Sequence, residues 1–307
     1  MRKCRPNAVI LSFCLLAGLA VVASAALTSF AQLPTPASPV SGSFSFTAID
    51  FPGANRITRA LGLNDHGDIV GDYIDSSGVR HGYLLSQGNF TTFDAPGSIE
   101  TRGLAINNPG VIGGTFLDSS HKQRSYLLNH GVFTIFDFPG ATGTRLQGLN
   151  DQGDVVGAYA DTAGNVQGFL LSAGNFTTIK FPGSVGGAAE GINDRGQIVG
   201  WYRDASGIAH GFLLSSGNFT TIDFPGALSI TFTADISSHG EIVGYYDDSN
   251  GTNHGFTLID GNFSTVDFPG ALSTFEARVN EAGQIVGWYN LSGQHGFLAT
   301  PSLIQKP

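Results

Sequence analysis

Chemistry-bearing side chains in this chain come in sets. Histidine precedes Gly-Tyr or Gly-Phe at His81, His210, His254 and His295, and aspartate marks turns at Asp75, Asp118, Asp161, Asp204, Asp247 and Asp248. Asn-Phe-Thr or Asn-Phe-Ser recurs at Asn89, Asn175, Asn218 and Asn262. Imidazole and carboxylate suggest zinc or calcium, and Asn-x-Ser/Thr suggests a glycosylation acceptor. Spacing argues against all three. One histidine per unit cannot converge with its counterparts on a single ion, and the acidic turns lack the dense oxygen ladder that calcium needs. The expectation is therefore structural: packed or hydrogen-bonded imidazoles, turn-forming aspartates, and Gly-Asn hairpins. No metal site and no cofactor are expected. A Gly-x-Ser-x-Gly elbow, a phosphate loop and a zinc-binding helix motif are all missing, so any enzyme would have to use scattered loop residues.

Where the units differ is more informative than where they agree, because identical copies cannot orient one ligand. A single aligned position reads Arg59, Arg102, Arg145, Ala188, Phe232 and Phe275, and nearby positions carry Glu190, Asp235, Glu276 and Arg278. Arginine clusters suit carboxylate, sulfate or phosphate groups, and an aromatic pair suits a sugar face or an apolar ligand. All of these but Ala188 form the nine-residue candidate ligand site, placed on the segments that join one unit to the next. Three readings stand beside one another: a binding module for an acidic glycan or other anion, a carbohydrate-active hydrolase or lyase, and a structural spacer. The enzyme would use Glu190, Asp235 or Glu276 as acid and base, which requires two carboxyl groups roughly 5 to 9.5 Å apart. The plainest reading of the same residues is solvated loops with ion pairs between units, each worth little.

The elements that position these residues follow from repetition. Pro-Gly glycines fall at Gly53, Gly97, Gly140, Gly183, Gly226 and Gly270, spaced 44, 43, 43, 43 and 44 residues apart. In phase with them run Asn-Asp-x-Gly turns (Asn64, Asn150 and Asn193, with variants at Asn107, Ser237 and Asn280) and the His-Gly-Phe marks. In the fourth unit, strands are expected over Ala189 to Asn193, Gln197 to Tyr202, His210 to Leu214 and Phe219 to Phe224. Neighbouring residues such as Ile198 and Val199 are both apolar, so both faces of each small sheet must be covered. A radial array of four-stranded sheets meets that demand. The chain opens with a spare fourth strand (Phe46 to Phe51) and ends after a third strand (His295 to Ala299). Pairing them predicts an all-β, six-bladed β-propeller over residues 44–301, closed by its N-terminal strand.

Composition agrees: 43 Gly and 23 Phe against 1 Met and 13% charged residues fit many short strands, tight turns and ring packing. Arg2, Lys3 and Arg5 precede an apolar run from Ala8 and small residues at Ala25 and Ala31, the order of a secretory signal peptide over residues 1–31. A Pro- and Ser-rich tether follows over 32–43, and 302–307 forms a tail. Both cysteines, Cys4 and Cys14, lie in the leader, so no disulfide is expected in the mature chain. Loss of three basic residues takes the net charge from −9 to −12 (12 basic against 24 acidic). That excludes nucleic acid and anionic membrane as natural partners. The expected protein is a secreted monomer, periplasmic or at the cell surface, not inserted in a membrane after cleavage, with a glycan or protein as its extracellular partner.

The unit Gly191-Ile-Asn-Asp-Arg-Gly-Gln-Ile-Val-Gly200, followed by His210-Gly211-Phe212-Leu213, resembles the HAF family of bacterial extracellular repeats. The likeness runs over residues 44 to 300. It departs in the middle residue of the triplet, Gly instead of Ala, and in the Asp-Phe-Pro-Gly link. The resemblance implies export and a propeller-like fold, and carries no catalytic residues.

Overall fold

The computed structural model describes residues 44–302, so the leader, the tether and all but the first residue of the tail lie outside the described residues. The body forms six four-stranded antiparallel sheets. Blades one to five span 58–93, 98–136, 143–179, 186–222 and 231–265. Blade six joins 273–301 to Phe44–Ile49. In each blade strands follow chain order from the innermost first strand to the exposed fourth, except that the fourth strand of blade six comes from the N-terminus.

Closure occurs twice. Phe44–Ile49 pairs along Gln294–Pro301, from Phe44 opposite Pro301 to Ile49 opposite Gly296. On the inner side, Asn280 Nδ2 donates to the Asn64 carbonyl (3.3 Å) and Glu281 N donates to Asp65 Oδ1 (2.8 Å), joining blade six to blade one. The spare strand is thus docked, as the leftover termini predict.

Packing explains the repeated residues. The aromatic ring of each His-Gly-Phe mark or its variant (Tyr83, Tyr126, Phe169, Phe212, Phe256, Phe297) is buried. In five blades a second-strand tyrosine stacks on the phenylalanine before Pro-Gly, as Phe181 does on Tyr202 at 3.7 Å. Because that phenylalanine leaves the preceding blade, the stack staples neighbours together.

The Ile-Val-Gly mark has a different cause. Every first strand carries a β-bulge, for example between Ala60 and Gly62 or between Ala189 and Gly191. The facing second-strand glycine lets a first-strand carbonyl approach so closely that a Cβ on Gly200 would sit 2.1 Å from the Ala188 oxygen. Without that glycine the bulge could not form, and the bulge re-aims the side chains that follow it.

Polar marks behave as structural groups. His210 Nδ1 contacts Asp223 (2.8 Å), the imidazole stacks on Tyr202, and the same pattern serves His81, His254 and His295. No group of three metal-ligating side chains exists among the described residues. Asp75, Asp118, Asp161, Asp204 and Asp248 accept two backbone N–H groups of their own turns, as Asp204 does from Ser206 and Ile208. Side-chain bonds from Ser77, Ser120 and Asn165 hold Asp75 (at about 2), Asp118 and Asp161 low, with help from the backbone N–H groups, which lead at Asp204 and Asp248. Asp247 departs from the expectation: it accepts from Ser229 and Ile230 on the approach to the blade's first strand. The Asn-Phe-Thr asparagines follow hairpin loops such as Ser216-Gly217, both at positive φ, so the turn is X-Gly and Asn opens the strand.

Candidate functional site

The aligned position lies inside the first strands and not on the linking segments, a correction to the sequence reading. In blade four the strand begins at Gly186 instead of Ala189, because Gly186-Gly187-Ala188 gives no apolar alternation to announce it. Arg59, Arg102, Arg145, Ala188, Phe232 and Phe275 all line one cavity of about 500 Å³ at one mouth of the central channel. Glu190 and Arg278 line it too, with bulge residues Leu61, Leu104, Gln147, Ala234 and Ala277.

The funnel is divided along a diameter. Each first-strand residue faces one second-strand partner: Arg59 pairs with Asp72, Arg102 with Thr115 and Arg145 with Ala158. On the other half Ala188 pairs with Trp201, Phe232 with Tyr245 and Phe275 with Trp288. Trp201, Phe232, Tyr245, Phe275 and Trp288 form a continuous chain of ring contacts, with centroids 5.0, 4.9, 5.1 and 3.9 Å apart in turn.

On the cationic half, three guanidinium groups share two carboxylates and a fourth has neither. Asp72, fully buried, takes a paired contact from Arg59 and a bond from Arg80 (2.9 Å). Arg102 reaches Glu100 at 3.5 Å and Asp72 at 3.9 Å. Arg145 has neither an ion pair nor a hydrogen bond, and its Nε is shut off from solvent without an acceptor. A guanidinium that lines a cavity without a hydrogen bond suits an anion, since its donors gain partners when one arrives.

Glu190 stands between the halves. Its carboxylate accepts from Trp201 Nε1 at 3.0 Å and from Gln147 Nε2. Burial pushes its carboxyl up, against the pull of Arg145 and then of Arg278. Arg278 crosses the channel floor: its guanidinium donates to the carbonyls of Ala234, Ala277 and, across the ring in blade three, Gln147. It lines both this funnel and a smaller cavity of about 80 Å³ at the opposite mouth, and so partitions the channel.

Two sequence candidates do not present their carboxylates to the funnel. Asp235 lines the opposite cavity, lies against Gly191 and accepts from Val279 N at 3.1 Å. Burial raises it to about 6. Glu276 is wedged between blades five and six with both oxygens sealed from solvent. Burial lifts its carboxyl well above the usual range; the backbones of Gly244 and Phe256 soften that effect without a bond of good geometry. Glu276 lines the funnel beside Glu190, but its sealed oxygens leave Glu190 as the one of the three whose carboxylate bonds groups of the funnel wall.

Sequence reading missed Trp201, Tyr245, Trp288, Asp72 and Gln147. A signal existed: the residue after Ile-Val-Gly (or its equivalent) varies as Asp72, Thr115, Ala158, Trp201, Tyr245 and Trp288, in step with the first-strand variation.

No protein-family model matches the sequence, and no curated protein does. Among solved structures, TolB from Acinetobacter baumannii is similar over 76% of this chain (13% identity, TM-score 0.55). The chain spans only 64% of the TolB chain. A putative gluconolactonase matches over 85% of this chain and 94% of its own (13% identity, TM-score 0.53). AofleA from Arthrobotrys oligospora matches over 86% of this chain and 94% of its own (13% identity, TM-score 0.51). These likenesses are of fold: the chain is a six-bladed β-propeller.

Proposed function

We propose that this chain is an exported propeller of HAF type that binds an anionic ligand, an acidic glycan first among the candidates, in the divided funnel. One observation carries the reading. Arg145 faces a cavity of ligand size with no protein partner of its own, opposite a wall of aromatic rings. Since the chain as a whole carries −9, a cationic half-funnel is a local departure that general acidity does not supply. Export rests on the leader, Arg2 to Ala31, and the HAF assignment rests on the motif likeness alone.

The test is an acidic-glycan array probed with the chain lacking residues 1–31, beside its Arg145→Ala variant. Capture of at least one carboxylated or sulfated glycan is expected, weakened about tenfold or more by the substitution, the scale of a lost charge-assisted contact. Equal capture by both proteins would remove the funnel as the binding site. For export, the mature N-terminus recovered outside the cytoplasm should follow Ala25 or Ala31.

A further inference from the structure

We propose that blade four contains a subsite for a carboxylated pyranose ring, a hexuronic acid residue, with its flat face on Trp201 and its carboxylate on Arg145. This rests on the anion-binding reading and gives it a ligand class.

The first ground is a missing cover. In blade six Phe275 lies flat on Trp288 (3.9 Å, 10°), and in blade five Phe232 lies parallel to Tyr245 (4.9 Å, 7°). Trp201 occupies the same second-strand place, but its first-strand partner is Ala188. The place that phenylalanine takes elsewhere holds only the Ala188 methyl here, while Trp201 is half-buried, lines the funnel and meets Phe232 of blade five at a tilt (5.0 Å, 44°). Arg203 holds its guanidinium over the indole, 5.8 Å from the ring centroid, a cation–π contact outside the funnel lining.

The second ground is that this indole is held in place. Glu190 Oε1 fixes its Nε1 at 3.0 Å, while Gln147 holds the other carboxylate oxygen. Each oxygen has one partner from the protein, which leaves acceptor capacity for ligand hydroxyls. The third ground is Arg145 on the adjoining blade, the larger of the two positive charges acting on Glu190 and still without a bond to it.

Together these groups ask for an apolar face, hydroxyl donors and an anion within one small molecule. Sulfate answers only the last demand, a neutral hexose only the first two, and a fatty acid supplies no hydroxyls. A hexuronic acid supplies all three: its C–H face against the indole, its hydroxyls to Glu190, and its carboxylate as a planar partner for a guanidinium.

The chain has 2 tryptophans, Trp201 and Trp288, so Trp288→Phe leaves Trp201 as the sole indole fluorophore. Its emission would be followed during titration with D-galacturonate, D-galactose or sodium sulfate, after a melting curve confirms the fold. Galacturonate should change the emission saturably, and galactose should bind about tenfold or more weaker, the scale of a charge-assisted contact. Sulfate should leave the emission unchanged. Adding Arg145→Ala should erase the preference for galacturonate over galactose. Calorimetric binding of galacturonate with no change in Trp201 emission, or equal binding of galactose, would overturn the subsite and leave the anion reading intact. Absence of any binding by galacturonate and sulfate, with Arg145→Ala moving nothing, would overturn both.

Discussion

The two mouths of the channel are built from the same six first strands and have opposite characters. At one, the Asn-Asp-x-Gly turns bond around the ring: Asn64 Nδ2 to the Asn107 carbonyl, Asn107 to Asn150, Asn150 to Asn193 and Asn193 to Ser237, at 2.9 to 3.3 Å. Ser237 is too short to continue this set, but a second one runs on, in which Ser238 N donates to Glu281 at 2.6 Å as Asp65, Asn108 and Asp151 N donate to the next turn's side chain. At the other mouth, neighbours diverge into arginine and aromatic halves, joined by bonds and ring contacts that differ from blade to blade. Repetition makes a closed ring, because each blade must offer what its neighbour lacks. Divergence makes one orientable site, because only an asymmetric wall can hold an asymmetric ligand.

That contrast breaks if the repeated residues are dispensable for stability, or if changes at the divergent mouth unfold the chain. The largest effect is expected in the core. Phe212→Ala should cost about 3–5 kcal/mol in denaturant unfolding, the range for deleting a buried ring.

Next comes Asp235, buried on the side of the repeated mouth and raised to about 6. A carboxyl raised in the folded state stabilises that state fully only below its unfolded value, and the benefit fades as pH climbs through the folded value. Asp235→Asn should therefore match the parent near pH 4 and gain on it up to pH 6, by on the order of 3 kcal/mol, then level off. A difference that stays flat across this window would show that Asp235 is not held protonated.

Within the belt, Asn150→Ala removes a donor to the buried Asn193 carbonyl and an acceptor for the N–H of Asp154. A loss of about 2 kcal/mol is expected, since orphaned buried polar groups cost roughly 1–3 each. The smallest stability change should come from Ala188→Phe, about 1 kcal/mol, the low end for enlarging a buried side chain, because blades five and six already accept phenylalanine there. It should rebuild the stack over Trp201 and lower galacturonate affinity about tenfold or more, the worth of the aromatic face and the anion contact it displaces. Undiminished binding by this variant would show that Trp201 is not the platform.

Most of the architecture was legible before the fold was seen. Three marks in phase and two leftover half-blades leave a closed ring as the solution, and Phe44–Ile49 docks on Gln294–Pro301 accordingly. The divergent positions were legible as a set, because repeats supply their own alignment. Their depth was not. Arg59 and its counterparts sit in the strands themselves, and a bulge at Glu190 or Gln147 has no signature beyond the glycine opposite. Nor does a single column of residues show its cross-strand partner, so Trp201 and Asp72 were missed, and Glu276 looked like a rim carboxylate although it lies sealed between blades. Pairing the two varying columns would have revealed the aromatic wall.

Calorimetric stoichiometry of D-galacturonate on the chain lacking residues 1–31 tests most directly whether asymmetry creates the site. One ligand per chain is the predicted result, because among the described residues only blade four sets a tryptophan opposite alanine, beside the unbonded Arg145 of blade three. A stoichiometry near six, one for each equivalent gap between blades, or no heat of binding at all, would contradict it.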